Sequence, residues 1–347
     1  MSAISSTRPS EHLLIPFAAC SAESWLPTLQ AQPPESFQHL TELLRGMKRV
    51  HIDEADAHTL SPPHERALAR AEGLAVEGVP DGLIPWAAGD LPERLQAREN
   101  KAWAWVTLCH WAMGREHAIL TDPAALALTE NESRALLMAM QPYFETDGIR
   151  LHYLAPERWL AEGELFRNLP TASLDRVLGR SVDAWLPGAG AAEGKANPPL
   201  ASATPFEGGA RTMRRLQNEM QMLLYTHPVN DARADLRQLP VNSFWLSGTG
   251  TLSQSRSQRE REPVRVPRTL AQAAFCDDWT AYAQAWKALD AAEVAPLLAR
   301  QRRGEFVRLT LCGERSAHTF ETIQRGFFAR ISSRLSPVRT LDLLRQL

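Results

Sequence analysis

The run AWAWVTLCHW, Ala102 to Trp111, has no acidic, Lys or Arg side chain in it. Trp103, Trp105 and Thr107 fall on one side of an extended backbone, with Val106 and Leu108 on the other, the alternation expected of a buried strand. A strand cannot stand alone, and the chain supplies further candidates. HLLIPFA (His12–Ala18) is short, continuous and apolar, GIRLHYLAP (Gly148–Pro156) alternates after an Asp147-Gly148 turn signal, and FVRLTLCG (Phe306–Gly313) reads likewise. Helical patterns lie between them. Ser36–Lys48 puts Phe37, Leu40, Leu43 and Leu44 on one face, with Gly46 near its end. Ser61 is an N-cap candidate, with Pro62 inside the start of a helix reaching Gly73. Thr129 stands three residues before Glu132, the capping-box spacing, and opens a helix ending near Pro142. Thr212–Tyr225 carries Met213, Leu216, Met220, Leu223 and Leu224 at helical intervals, and Leu270–Leu289 is a Trp- and Ala-rich helical stretch. Strands alternating with helices predict an α/β protein with a mixed sheet flanked by helices.

At 347 residues the chain exceeds the size at which one core usually stops growing, so one large or two ordinary domains are expected. Composition suggests an N-terminal α/β region over 1–187 and a C-terminal α/β region over 210–347, either separate or co-folded as one unit. Between them, residues 188–209 have many breakers and little to bury, which predicts a flexible linker or loop. Residues 253–267 form a second mobile break, rich in Arg. Glu260 and Glu262 interrupt its charge and no aromatic residue is interleaved for base stacking, so a solvated segment is favoured over a nucleic-acid arm. From Thr319 onward, Phe320, Ile323, Phe327, Phe328 and Ile331 recur at helical spacing, as in a core-packing tail or a dimer face.

Lys+Arg 38 against Asp+Glu 40 leaves no global field to hold nucleic acid or an anionic membrane. Cys20, Cys109, Cys276 and Cys312 are far apart and form no CxxC, which argues against a zinc knuckle and for reduced thiols. The opening MSAISSTRPSE has no apolar core of a secretory signal, and no apolar run suggests a membrane span. A cytoplasmic protein is expected.

The densest concentration of chemistry is NEMQMLLYTHPVNDARADLRQLPVNSFWLSGTG, Asn218 to Gly250. A strand ending at Leu246 would hand the chain to a turn through Ser247, Gly248, Thr249 and Gly250. There glycine backbone amides and two hydroxyls could approach an anion. Asn230, Arg233 and Asn242 could converge on it, Arg233 as a two-pronged clamp for carboxylate or phosphate. In the competing reading both Asn side chains satisfy turn backbone and the glycines only shape a bend.

Within this run, His-Pro-Val-Asn, Arg233, Leu-Pro-Val-Asn and Gly-Thr-Gly resemble the domain that archaeal-type cofactor-independent phosphoglycerate mutases insert into an alkaline-phosphatase-like core. The match covers residues 224–250, and Ser247 stands where that family has Arg. The family's core implies a carboxylate after the first strand, a Ser nucleophile and paired Asp-His metal ligands. Here the first strand ends Ile15-Pro16-Phe17-Ala18, and no Asp-His pair occurs. Over its length, through HLLIPFA, SPPHERALAR, DGLIPWAAGD, CHWAMGREHAILTDP and the PVNSFWLSGTG block, the chain resembles the bacterial RpfE-type regulatory proteins, often labelled phosphoglycerate-mutase-like. That resemblance implies a cytosolic regulator without a demonstrated reaction.

His51, Asp53, Asp56, His58, His64 and Glu65 crowd one stretch but match no helical metal motif, so a solvated loop is favoured and no metal is expected. Cys109 and His110 are strand neighbours facing opposite sides, which rules out a direct nucleophile pair. Trp86, Trp103, Trp105 and Trp111 with His110 and His117 suggest a second, aromatic cleft. Arg158, beside Trp159, and the run Arg176 to Arg180 add further cationic groups. These features favour a non-catalytic regulatory or ligand-sensing protein for a small anionic or phosphorylated ligand, with no cofactor. A phosphoglycerate-mutase-like phosphoryl-transfer enzyme is the first alternative. A scaffold acting through its Trp-rich face, toward a protein partner or as a homo-oligomer, is the second.

Overall fold

The computed structural model describes residues 9–74, 79–96, 100–115, 117–188, 205–252, 263–323 and 339–347. Its strands are β1 (Glu11–Ile15), β2 (Met47–Glu54), β3 (Ala102–Cys109), β4 (Trp111–Met113), β5 (Ala118–Leu120), β6 (Arg150–Ala155), β7 (Arg158–Glu162), β8 (Ser243–Thr251), β9 (Val264–Arg265), β10 (Val307–Cys312) and β11 (Ser316–Thr322). Two compact units result. The first takes Met1–His58, Pro62–Gly73 and Glu260–Leu347, and the second Thr59–Ser61 and Leu74–Arg259.

This partition is interleaved, whereas the expected one was sequential, 1–187 followed by 210–347. The cause is strand pairing: β1, at the start of the chain, lies parallel to β10 near its end and to β9 on its other side. Parallel neighbours need a long crossover. Here the crossover is long enough to contain the whole second unit.

The first unit is built on a five-stranded mixed sheet, β2-β11-β10-β1-β9. On one face Leu13, Ile15, Val307, Leu309, Leu311 and Phe320 pack against Leu40, Leu43 and Leu44 of helix Gln38–Arg45 and Trp286 of helix Trp279–Leu289. On the other, Leu14, Cys312 and Ala317 meet Ala67 of helix Pro63–Ala71. Arg66 and Arg70 of that helix hold the Asp53 carboxylate at 2.7 and 2.5 Å. Burial alone would raise the Asp53 pKa, but the two guanidinium groups outweigh it and hold the carboxyl below its ordinary range.

The second unit carries an antiparallel four-stranded sheet, β6-β7-β3-β8. Ala104, Val106, Leu108, Trp159, Phe244 and Leu246 form one face. They pack against Leu136, Met140 and Phe144 of helix Glu130–Thr146 and Met213, Leu216, Met220 and Leu224 of helix Pro205–Tyr225. Side chains of this size each contribute about 1.5–3 kcal/mol on burial, so this face dominates the unit's stability. The opposite face presents Trp103 and Leu160 to Ala87 and Ala88 of the short helix Trp86–Gly89 and to Leu95.

Several local expectations change. The helix placed over 36–48 ends at Arg45, and Met47–Glu54, with Asp53 that was expected in a polar loop, is a strand because β11 offers it a partner. Ser61 does not cap the next helix: Pro62 is the N-cap, and the Ser61 hydroxyl accepts from Gly82 N at 3.1 Å. The Thr129–Glu132 capping box forms as expected, but its helix runs through Pro142 to Thr146. Thr319 and Phe320 belong to β11, since alternation against β10 overrides the helical spacing; Phe327, Phe328 and Ile331 lie outside the described residues. Most of the expected 188–209 linker also lies outside them, and its last residues, from Pro205, open a helix. The Arg-rich 253–267 break falls outside up to residue 262, beyond which Val264–Arg265 forms β9.

Candidate functional site

Helix Pro205–Tyr225 is followed by helix Pro228–Asp235, whose N-cap His227 accepts from Val229 N through Nδ1 at 3.2 Å. That turn delivers Asn230 and Arg233 into the second unit rather than to its surface. Asn230 donates through Nδ2 to Leu224 O and Val241 O, both at 2.7 Å, and accepts from Val241 N at 2.9 Å. The amide thereby ties the end of one helix to the start of β8. Asn242 acts like a strand neighbour for Trp111, accepting from its N–H at 2.7 Å and donating to its carbonyl at 3.0 Å.

Arg233 is 1% exposed. Its Nε donates to Leu239 O at 2.8 Å, Nη1 to Glu132 Oε1 at 2.8 Å and Nη2 to Leu126 O at 2.5 Å. The guanidinium that the sequence offered as an open clamp is turned inward onto two carbonyls and a carboxylate. Glu132 in turn closes the capping box on Thr129 N and Oγ1 at 2.8 and 2.6 Å. Its burial would raise the carboxyl pKa, yet the Thr129 hydrogen bonds and Arg233 hold it low.

The expected turn at Ser247–Gly250 is instead strand. Trp103 opposes Gly250 and Trp105 opposes Ser247, so two β8 residues face one β3 residue between those pairs. This is a bulge, and Gly248 at φ +64 supplies the left-handed conformation it requires. A Cβ at Gly248 would sit 3.0 Å from Trp105 Cε3 and 3.1 Å from Trp86 Cβ; one at Gly250 (φ +139) would meet Leu83 O at 3.1 Å. Thr249 is fully buried, with Oγ1 2.7 Å from Leu169 O, 3.1 Å from Gly82 O and 3.0 Å from Thr171 Oγ1. Asn230, Arg233 and Asn242 gather at the start of β8 whereas Ser247–Gly250 lie in its second half, and the polar side chains of Asn230, Arg233, Asn242 and Thr249 are engaged by the fold.

The aromatic set separates. Trp103 is buried against the His152 ring, centroids 5.5 Å apart. His110 bonds Pro240 O at 2.9 Å through Nδ1, while Cys109 beside it is fully buried and its thiol pKa is pushed up by desolvation. His117 lies in an exposed pair with Asp183 at 3.5 Å. Trp86 and Trp105 stay together on either side of Gly248.

Cross-strand pairing aligns further groups with Trp105. Ser247 and Leu160 stand opposite it, and Thr107, two positions along β3 on the same face, stands opposite Arg158. The Arg158 guanidinium lies 4.7 Å from the Trp105 ring centroid. Trp159 Nε1 and Trp245 Nε1 donate to Ser133 Oγ and Ala172 O at 2.9 and 3.0 Å. Trp86 Nε1 and Trp105 Nε1, like Trp111 Nε1 and Trp286 Nε1, are equally shielded and have no acceptor among the described residues. The sequence marked Arg158 only as one cation among several. The signal that could have placed it is the alternation RWLAE after a Pro156-Glu157 turn, which makes β6 and β7 a hairpin and turns Arg158 away from Trp159.

Of the earlier acidic and imidazole cluster, His64 and Glu65 bring their ligand atoms within 4.8 Å of each other, and the remaining members have other partners or surroundings. Asp53 is held by Arg66 and Arg70, His51 is exposed on β2, the His64 ring packs 5.6 Å from that of Phe17, and Asp56 accepts from His58 N at 2.8 Å.

No family model and no curated protein matches this chain. Solved structures do match. The cofactor-independent phosphoglycerate mutase from Thermoplasma acidophilum DSM 1728 is 13% identical, covering 98% of this chain and 99% of its own, with a TM-score of 0.36. The PH0037 protein from Pyrococcus horikoshii is 11% identical over 98% and 97%, with a TM-score of 0.41. Superpositions this loose transfer no site. No helix among the described residues is long and apolar enough to cross a membrane.

Proposed function

We propose that this chain is a non-catalytic, cytosolic ligand-sensing protein that binds a small anionic or phosphorylated molecule beside Trp105, Trp86, Arg158, Ser247 and Gly248. The observation that supports it is the pair of shielded indole N–H groups without acceptors next to a guanidinium whose partner is an aromatic ring. A buried donor without an acceptor is costly, at roughly 1–3 kcal/mol, and asks for a water or ligand oxygen. An anion seated against the two rings would supply acceptors to both indoles and a charge partner to Arg158. Asn230, Arg233, Asn242 and Thr249 would serve that site from behind, by fixing β8 and its bulge.

Sensing is preferred to catalysis because the donors are of one kind. Guanidinium and indole N–H groups hold an anion but neither take up nor release a proton near neutral pH. Cys109, Cys276 and Cys312 stand as thiols, which agrees with a reducing compartment.

The test is a thermal titration with inorganic phosphate, sulfate, 3-phosphoglycerate and common nucleotides. At least one should raise the melting temperature of the wild-type chain, and Arg158→Gln should abolish that rise while leaving the ligand-free melting temperature near wild type. A wild-type chain indifferent to all of them, or a variant with an undiminished response, overturns the reading.

A further inference from the structure

β2 is eight residues long and, among the described residues, pairs on one side only, with β11. After Met47 it is exposed almost throughout, and Val50 and Ile52, both 41% exposed, put apolar side chains on that open edge. The opposite edge of the same sheet is the two-residue β9. Long open edges invite strand pairing and are usually blunted by charge or a bulge. β2 has both devices, but their arrangement does not repel a second copy.

Its sequence runs Lys48, Arg49, Val50, His51, Ile52, Asp53, Glu54: two cations, an apolar-flanked centre, two anions. Parallel self-pairing in register would put like charges together. Antiparallel self-pairing brings each cationic end to an anionic one. The bulge fixes the register. Thr319 opposes His51 and Phe320 opposes Arg49, leaving Val50 as the extra residue. Alternation is therefore shifted across Val50: Arg49 and Ile52 face the side of Phe320 and His318, while Lys48 and Asp53 face the other. Pairs that oppose one another across a two-fold axis normal to the sheet must face the same side, and an axis between Val50 and His51 meets this for Arg49 with Ile52 and Lys48 with Asp53 while bringing both cationic ends to anionic ones.

We infer that two copies of this chain associate through β2, with Val50 opposite His51 of the second copy, Arg49 opposite its Ile52 and one step from its Glu54, and Lys48 opposite its Asp53. The contact is isologous and closed, so it ends at a dimer with a continuous ten-stranded sheet (five strands from each copy). Arg49–Glu54 is the specificity-determining pair, because Asp53 already holds Arg66 and Arg70 within its own chain.

Sedimentation velocity on the full chain across a concentration series tests this. The wild type should sediment as a dimer of the 38.6 kDa chain. Arg49→Glu, which places like charges within diagonal reach twice per dimer, should raise the dissociation constant about tenfold, as should Ile52→Lys. The swap Arg49→Glu with Glu54→Arg should restore wild-type association. Because these residues are exposed, each variant should keep the melting temperature of the isolated chain. A wild type that is monomeric throughout, a dimer insensitive to both single variants, or a charge swap that fails to restore association overturns the inference.

Discussion

Two parts of the second unit contain similar polar chemistry and use it in opposite ways. Around Asn230, Arg233 and Asn242, each side-chain nitrogen that donates finds a carbonyl or a carboxylate of the same chain. Around Trp86, Trp105 and Arg158, the indole nitrogens have no acceptor among the described residues and the guanidinium lies over a ring. Side chains that look like ligand contacts in a sequence become braces when folding supplies their partners. The groups left to meet a ligand are those that folding leaves incomplete.

The largest effect that would break this contrast lies at Arg233. Truncation to Ala leaves Leu126 O, Leu239 O and one Glu132 oxygen without their donor in a buried place. Removing one partner from such a buried charged network costs about 3–5 kcal/mol. Arg233→Ala should therefore lower stability severely in chemical denaturation, while folded molecules keep the anion response of the wild type. A variant that unfolds at the wild-type midpoint yet no longer responds to anions would make Arg233 a ligand contact after all.

How far this was legible in the sequence differs between the two parts. The α/β class, β1, β3, the Thr129–Glu132 capping box and the helix through Met213 and Met220 follow from local periodicity and cap chemistry, which the sequence carries directly. The interleaved units do not, because β1 selects β10 across almost the whole chain. At the site, hydrogen-bonding capacity is written in the residue types but direction is not. Asn230 and Arg233 were named, yet whether they face carbonyls or solvent depends on where Val241, Leu239 and Leu126 arrive. Gly248 and Gly250 suggested a turn, and only the register against Trp103 and Trp105 reveals a bulge inside a continuous strand.

Gly248 lies in the second part, against Trp86 and Trp105, and its substitution ranks next. Gly248→Ala would force an L residue to φ +64 and bring its methyl carbon to 3.0 Å from Trp105 and 3.3 Å from Ala87 N. Left-handed strain and crowding together should cost about 2–3 kcal/mol. Unlike Arg233→Ala, this change should also weaken the anion response per folded molecule, because relief of the clash moves Trp105 or Trp86. Loss of stability with an intact response would detach the bulge from binding.

The smallest expected effect concerns the cap that introduces the braced region. His227 Nδ1 accepts from Val229 N, so the cap needs neutral imidazole. Burial lowers the His227 pKa below its ordinary 6.5, against an opposing pull from Asp231. A depressed histidine pKa means that the unfolded chain takes up the proton first. The cap's contribution is thus complete above about pH 6.5 and is lost as pH falls through the lowered folded value. His227→Asn keeps an acceptor at the N-cap without a titration and should match the wild type to within about 1 kcal/mol near neutral pH. Melting curves at about pH 7.5 and about pH 5.5 should then show the variant losing less stability on acidification than the wild type. Equal losses in the two proteins would mean that the cap does not depend on neutral His227.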